Sequence, residues 1–298
     1  MNFKLDTTNV IYSFSKDNPK VLEVPSSSIV EIETLDCFSN QIQNDKDALK
    51  SIDLERVNPA TGPIFIKEAL KGDTLKVTIE NIEIKNQGVI STGKDLGTLG
   101  YLLKGLDSKI IPIKNNKAIF NDIEISLNPM IGVIGVAPKK ASINCGTPGN
   151  HGGNMDNKAI KKGSILYLPI ATNGALFALG DLHASMGDGE IGISGIEIPG
   201  KVTVKLEVLK EFKTENPILE DKDSLYTIAS AETVDEAAIL ANEDMLKLLS
   251  KKISMKTNEI VMLMSIVCNT EICQIVNPLK TVRVSIPKSV LNQLDFKI

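Results

Sequence analysis

The stretch Val202-Thr203-Val204-Lys205-Leu206-Glu207-Val208, entered from Pro199-Gly200, decides the fold class. Apolar and polar side chains alternate with period 2, so one face of an extended chain is buried and the other wetted. Leu75, Val77 and Ile79 alternate in the same way with Lys76, Thr78 and Glu80, behind the turn Lys71-Gly72-Asp73. Ile82 and Ile84 continue that run past Asn81, but with shifted parity. Ile165-Leu166-Tyr167-Leu168 and Val282-Arg283-Val284-Ser285-Ile286 are further strands, each stopped by a proline. Many short strands behind turn signals predict a mainly β fold of sandwich- or barrel-like units.

Helices are expected only near the C-terminus. Thr233 and Glu236 have the spacing of a capping box, and Ala237, Leu240, Ala241, Leu248 and Leu249 follow as an apolar stripe. Thr257–Cys268 reads equally as a second helix or a buried strand, because its apolar run has no clean period. The expected organisation is a β-rich region over residues 1–210, carrying the candidate site, with a smaller α+β portion over 211–298 packed on it. Ala69-Leu70-Lys71-Gly72-Asp73-Thr74-Leu75 is echoed in Ala159-Ile160-Lys161-Lys162-Gly163-Ser164-Ile165-Leu166. The echo is either a short internal repeat or a shared way of turning into a strand.

Charge narrows the partners. The 298 residues carry 37 acidic against 33 basic side chains, a net charge of −4. Nucleic acid and anionic membrane surfaces need basic patches and are not expected as partners. Arg56 and Arg283 are the only arginines, aromatics make up 4% and Trp is absent, so phosphate forks and base-stacking platforms are scarce. The longest apolar stretch, Ile260–Cys268, falls short of the ~18 residues of a spanning helix, and Met1-Asn2-Phe3-Lys4-Leu5-Asp6 lacks a secretory pattern. Cys37, Cys145, Cys268 and Cys273 form no CxxC pair, and a chain of this size needs no disulfides. The cytoplasm is the expected compartment.

Chemistry concentrates in one region. Residues 145–195 hold 11 of the 21 glycines and both histidines. At its centre lies Gly180-Asp181-Leu182-His183-Ala184-Ser185-Met186-Gly187-Asp188-Gly189-Glu190. In an extended chain Asp181 and His183 share a face, and Gly187 and Gly189 let the chain reverse and bring Glu190 beside them. Two carboxylates and an imidazole are ligand types that divalent cations accept, at ~2.0–2.2 Å for zinc. Upstream, Gly149-Asn150-His151-Gly152-Gly153-Asn154-Met155-Asp156 supplies the second histidine and another acid, and Asp36 ends the alternating Ile32–Leu35 run.

Blander roles stand beside these. Asp36 is also a natural turn or cap residue, His151 a structural loop histidine, Asp156 an Asx-type turn and Glu197 a solvated strand residue. Side-chain nucleophiles have less support. Gly192-Ile193-Ser194-Gly195 is not a nucleophile elbow, Cys37 and Cys145 lack a basic neighbour in sequence, and no Walker A or dinucleotide fingerprint occurs.

The Gly180–Glu190 segment followed by Gly195-Ile196-Glu197 resembles the signature of the acetamidase/formamidase family. His151-Gly152-Gly153-Asn154-Met155-Asp156, Asn58-Pro59-Ala60-Thr61-Gly62-Pro63 and Asp36-Cys37-Phe38 resemble its other blocks, in the same order along most of the chain. Met186 departs from it, standing where the family often has Gln. The resemblance implies a β-rich, metal-dependent hydrolase that releases ammonia from short aliphatic amides, as a homodimer or higher homo-oligomer. On that reading Asp36, His151, Asp181, His183 and Glu190 hold zinc, or alternatively calcium. Glu190 or Glu197 moves the proton with His183 at the reacting centre, and Asn154 and Asp156 contact the substrate. The competing class is a non-catalytic β protein pinned by a metal, and a third reading is a hydrolase of another small C–N substrate.

Overall fold

Alternation builds a nine-stranded sheet, in a computed structural model that describes residues 2–44 and 52–298. Gly200–Leu209 is its third strand, antiparallel both to Ser28–Thr34 and to Thr74–Ile84. Val202, Val204 and Leu206 are fully buried together with Leu75, Val77 and Ile79 of the neighbouring strand. The parity shift after Ile79 has a structural cause. Thr203 faces Asn81 while Val204 faces Ile79, so Glu80 is an extra residue in the ladder, a β-bulge.

The sheet continues through Ile165–Pro169, Ile218–Glu220, Ser224–Ala231 and Lys280–Pro287 to Asn269–Gln274 at its edge. Backbone pairing therefore crosses residue 210 without a gap. The two echoing segments precede adjacent strands and turn alike: Asp73 Oδ2 accepts from Leu70 N, and Ser164 Oγ from Lys161 N, each three residues back. A shared turn is all the echo requires.

A second sheet of six strands runs through Gly152–Asn154, Met130–Gly135, Phe177–His183, Ala60–Ile66 and Val10–Ile11, with Leu22–Val24 beside Ala60–Ile66. Its Ile64, Ile131, Ile134, Phe177, Leu179 and Leu182 pack with Val30, Ile32, Val77 and Val204 of the first sheet in one core. Burial of that apolar surface is the main stabilising contribution. A four-stranded meander, Gln87–Gly93 to Ile123–Ser126, is joined on through Val89, whose N–H and C=O both pair with the backbone of Glu197 at 2.8 Å.

The mainly β expectation with C-terminal helices holds. Helix Val234–Ser250 has the capping box, Thr233 and Glu236 each accepting the other's backbone N–H at 3.2 Å. Its buried stripe is Ala237, Ala241, Met245, Leu248 and Leu249, whereas Leu240, expected in it, is 40% exposed because it falls at the stripe's margin. Thr257–Val267 is helical, with Glu259 accepting the Lys256 N–H at 2.9 Å. Only Ile260 and Met264 of that helix are buried, while Val261, Met262 and Ile266 face outward, which explains the missing period. No helix among the described residues is long and apolar enough to cross a membrane.

Candidate active site

The end of Phe177–His183 carries two of the site's side chains. All seven residues of this strand are buried, and backbone pairing holds it between Met130–Gly135 and Ala60–Ile66. Asp181 nevertheless has φ +57°, so the strand is kinked where the sequence suggests plain alternation. Asp156 (φ +41°) and Glu190 (φ +50°) share this left-handed conformation. Three strained acids in one place mark a spot where geometry is kept at the expense of backbone comfort.

The acids meet around one imidazole. His183 Nε2 lies 3.1 Å from Glu197 Oε2, 3.5 Å from Asp181 Oδ1 and 3.7 Å from Asp156 Oδ1. Glu190 joins Asp156 and His183 with ligand-type atoms all within 4.8 Å of one another. The turn that brings Glu190 back is closed by Glu190 N donating to Gly187 O at 3.2 Å. Glu197 is set opposite His183 by Ile198 N to Leu182 O at 2.9 Å and Ala184 N to Ile196 O at 2.8 Å.

Two glycines make room. A Cβ on Gly132 would stand 2.5 Å from Asp156 Oδ1 and 2.6 Å from Asp181 Oδ2, and one on Gly195 would stand 2.6 Å from His183 Nδ1. Gly132 lies inside the apolar run Met130–Gly135, and an isolated glycine in such a run is the sequence signal for close approach. Asn277 closes the far side. It is nearly buried, donates to Asp156 Oδ2 at 2.7 Å and to Asn154 O at 3.0 Å, and had no signal in the local sequence.

None of Asp156, Asp181, His183, Glu190 and Glu197 is more than 5% exposed. Yet Asp156 Oδ1, Asp181 Oδ1, Glu190 Oε2, Glu197 Oε2, His183 Nδ1 and Asn154 Oδ1 have no hydrogen-bond partner. Leaving such atoms buried and unpaired costs about 1–3 kcal/mol each, and more for charged groups. Burial pushes the Glu197 carboxyl up to about 8 and Asp156 to about 6, both against the favourable charge of His183. Glu190 is driven well above the carboxylate range by burial and then by the charge of Asp156. Burial disfavours the His183 cation, but Glu197 and Asp181 outweigh it and raise its pKa well above the usual value.

Asp181, His183, Glu190 and Glu197 line a cavity of about 200 Å³ together with Asn154, Asn277, Cys37, Phe38, Ser91 and Ser194. A larger groove of about 630 Å³, lined by Leu209, Phe212, Lys251 and Lys252, holds none of these acids.

Two expected members lie apart. Asp36 is buried, but its Oδ1 accepts the N–H of Phe38 at 3.0 Å and of Asn40 at 2.7 Å, the turn-capping role weighed above. Burial lifts its carboxyl to about 6 in spite of those two donors. His151 packs edge-on to Phe14 with ring centroids 5.3 Å apart, belongs to neither cluster of ligand-type atoms among the described residues, and has both ring nitrogens buried without a hydrogen-bond partner. Burial alone lowers its pKa to about 4.

A divalent cation suits the central group. Donors bonded at ~2.0–2.2 Å to one ion stand roughly 3.0–3.6 Å apart, close to the spacings around His183 Nε2. Imidazole and carboxylate are donors that divalent cations accept, and a cation there would satisfy the orphaned oxygens.

The sequence model of the Acetamidase/Formamidase family matches residues 4–145 and 140–293. The chain belongs to this family. A crystal structure from Thermoanaerobacter tengcongensis, named by prediction as an acetamidase/formamidase, superposes with a TM-score of 0.98 at 49% identity, covering 100% of this chain and 99% of that one. An acetamidase of Bacillus halodurans gives a TM-score of 0.97 at 44% identity, over 98% of this chain and 100% of that one. A formamidase candidate of Schizosaccharomyces pombe is 31% identical over 257 residues, 65% of this chain but 62% of its own length.

Proposed function

We propose that this acetamidase/formamidase family member hydrolyses short aliphatic amides, of the acetamide and formamide class, to the carboxylate and ammonia at a bound divalent cation. One observation carries the reading: four buried ionisable side chains, Asp181, His183, Glu190 and Glu197, each with an unpaired polar atom, line one small cavity, and Asp156 stands beside them. A space of about 200 Å³ suits amides of one to a few carbons.

Asp156, Asp181, His183 and Glu197 would hold the ion, which when bound polarises the amide carbonyl and makes water a better nucleophile. Asp36 and His151 have no part in this set. Glu190 accepts the water proton and returns it to the departing nitrogen, since an amine leaves only once protonated. Burial and then the charge of Asp156 raise its pKa, which favours taking up the proton, and the charge of His183 opposes that rise. Asn154 Oδ1 is free to accept an amide N–H and orient the substrate.

A cysteine nucleophile is poorly supported. Burial and then the charges of Glu197 and Asp181 hold the Cys37 thiol well above its ordinary pKa, the opposite of activation. Ser194 Oγ donates to Ser91 O at 3.1 Å and accepts from Ser91 N at 2.9 Å, with no basic partner among the described residues.

The deciding experiment is an ammonia-release assay over amides of one to four carbons, paired with elemental analysis. His183→Ala is expected to abolish turnover and lower bound metal with circular dichroism unchanged. Full activity in that variant, or no activity of the wild type on any small amide after metal loading, defeats the proposal.

A further inference from the structure

Among the described residues, Cys37 is the cysteine whose sulfur groups with two carboxylates. Its Sγ and carboxylate oxygens of Asp181 and Glu197 all lie within 4.8 Å of one another, at the cavity wall. Cys145, by contrast, donates to Ile11 O at 3.6 Å, and Cys273 takes a contact from Arg283 Nη1 at 3.8 Å. Asp181 and Glu197 are each 1% exposed, and the oxygens they turn to His183 Nε2, Asp181 Oδ1 and Glu197 Oε2, have no hydrogen-bond partner, so a single thiol proton leaves the pair short of positive charge.

We infer that Cys37, Asp181 and Glu197 form a further cation position, selective for a thiophilic divalent ion, beside the position around His183. The inference rests on the reading that the acid and imidazole group holds a cation. Asp181 and Glu197 neighbour both Cys37 and His183 and would supply oxygens to both positions, which a carboxylate with two oxygens can do. On binding, a sulfur–metal bond forms and the thiol proton passes to solvent, so uptake releases one proton more than binding by carboxylates alone. The thiolate makes the position discriminate: zinc, cadmium and cobalt(II) are accepted, and magnesium and calcium are disfavoured.

The test is titration of chelator-stripped protein with cobalt(II), read by absorption. The expected result is a visible d–d spectrum together with a near-ultraviolet thiolate-to-cobalt charge-transfer band. The Cys145→Ser/Cys268→Ser/Cys273→Ser variant should keep that band. Cys37→Ser should lose it, keep the d–d bands and bind one cobalt fewer per chain. Wild-type protein that shows d–d bands without a thiolate band overturns this inference and leaves the His183 position standing, whether or not Cys37→Ser folds. Retention of the band in Cys37→Ser, with cobalt stoichiometry unchanged, overturns it too. Failure of the wild type to take up cobalt at all defeats both readings.

Discussion

Asn277 Nδ2 donates to Asp156 Oδ2 at 2.7 Å, joining residues 121 positions apart in the chain. The amide is itself held, because Gln274 Oε1 accepts the backbone N–H groups of Val276 and Asn277 at 2.9 Å. The C-terminal segment thus orients an acid whose other oxygen points at His183. Replacing Asn277 with Ala should lower kcat/KM by about 10- to 100-fold, the usual effect of removing a group that orients a ligand. Isothermal titration with zinc should show a parallel loss of affinity. Unchanged kinetics and affinity would reduce Asn277 to a packing role.

Gly132 and Gly187 make opposite predictions. At Gly132 a methyl group would collide with two carboxylates and come within 3.0 Å of Asp181 O, whereas at Gly187 nothing lies within 4 Å. Gly132→Ala should therefore cost about 100-fold or more in kcat/KM, since displacing reacting groups by an ångström is that damaging. Gly187→Ala should stay within about 0.5 kcal/mol of wild-type stability. Parallel assays and thermal melts of the two variants check both statements.

Arg283 fastens the turn that carries Glu190. Its guanidinium donates to Asp188 through two nitrogens at 2.8 and 3.0 Å, to Glu271 at 2.6 Å and to Asn157 Oδ1 at 3.0 Å. Arg283→Met should destabilise the fold by about 2 kcal/mol in urea titration. That is less than the 3–5 kcal/mol of a fully buried pair, because Asp188 is 31% exposed and keeps Lys158 at 2.7 Å. Activity should fall as well, since Asp188 is two residues from Glu190.

Acid should weaken the fold through His151. Its folded pKa of about 4 lies below the ordinary value of 6.5, so between these values the unfolded chain binds the extra proton. Stability is then fully present above pH 6.5 and is lost as pH falls toward 4, by on the order of 3 kcal/mol at most. Asp36 works the other way over part of this window, because its folded carboxyl stays protonated up to about pH 6. The clean readout is a difference: His151→Gln should lose less unfolding free energy than wild type between pH 6.5 and 4. Equal losses would show that the imidazole is not the group responsible.

Much of this protein was legible along the chain, and the reason is local. A period-2 pattern states which face of a strand is buried, so the runs at Leu75–Ile79 and Val202–Val208 could be placed without knowing their partners, and even the bulge at Glu80 left its mark as a break in parity. The capping box at Thr233 and the closeness of Asp181, His183 and Glu190 are short-range in the same way. Which groups share the cavity is a different question, answered by packing. Asn277 and Gly132 reach the acids only because separate strands are laid side by side, and no spacing records that. Asp36 turns its carboxylate onto its own backbone, and His151 packs against Phe14 with both ring nitrogens unpaired, the latter a contact that no spacing along the chain foretells. Residue types and periodicity determined the β architecture and the kind of chemistry available. The tertiary structure alone decided which carboxylates face the imidazole, since desolvation and charge act through space over a few ångströms and take no account of distance along the chain.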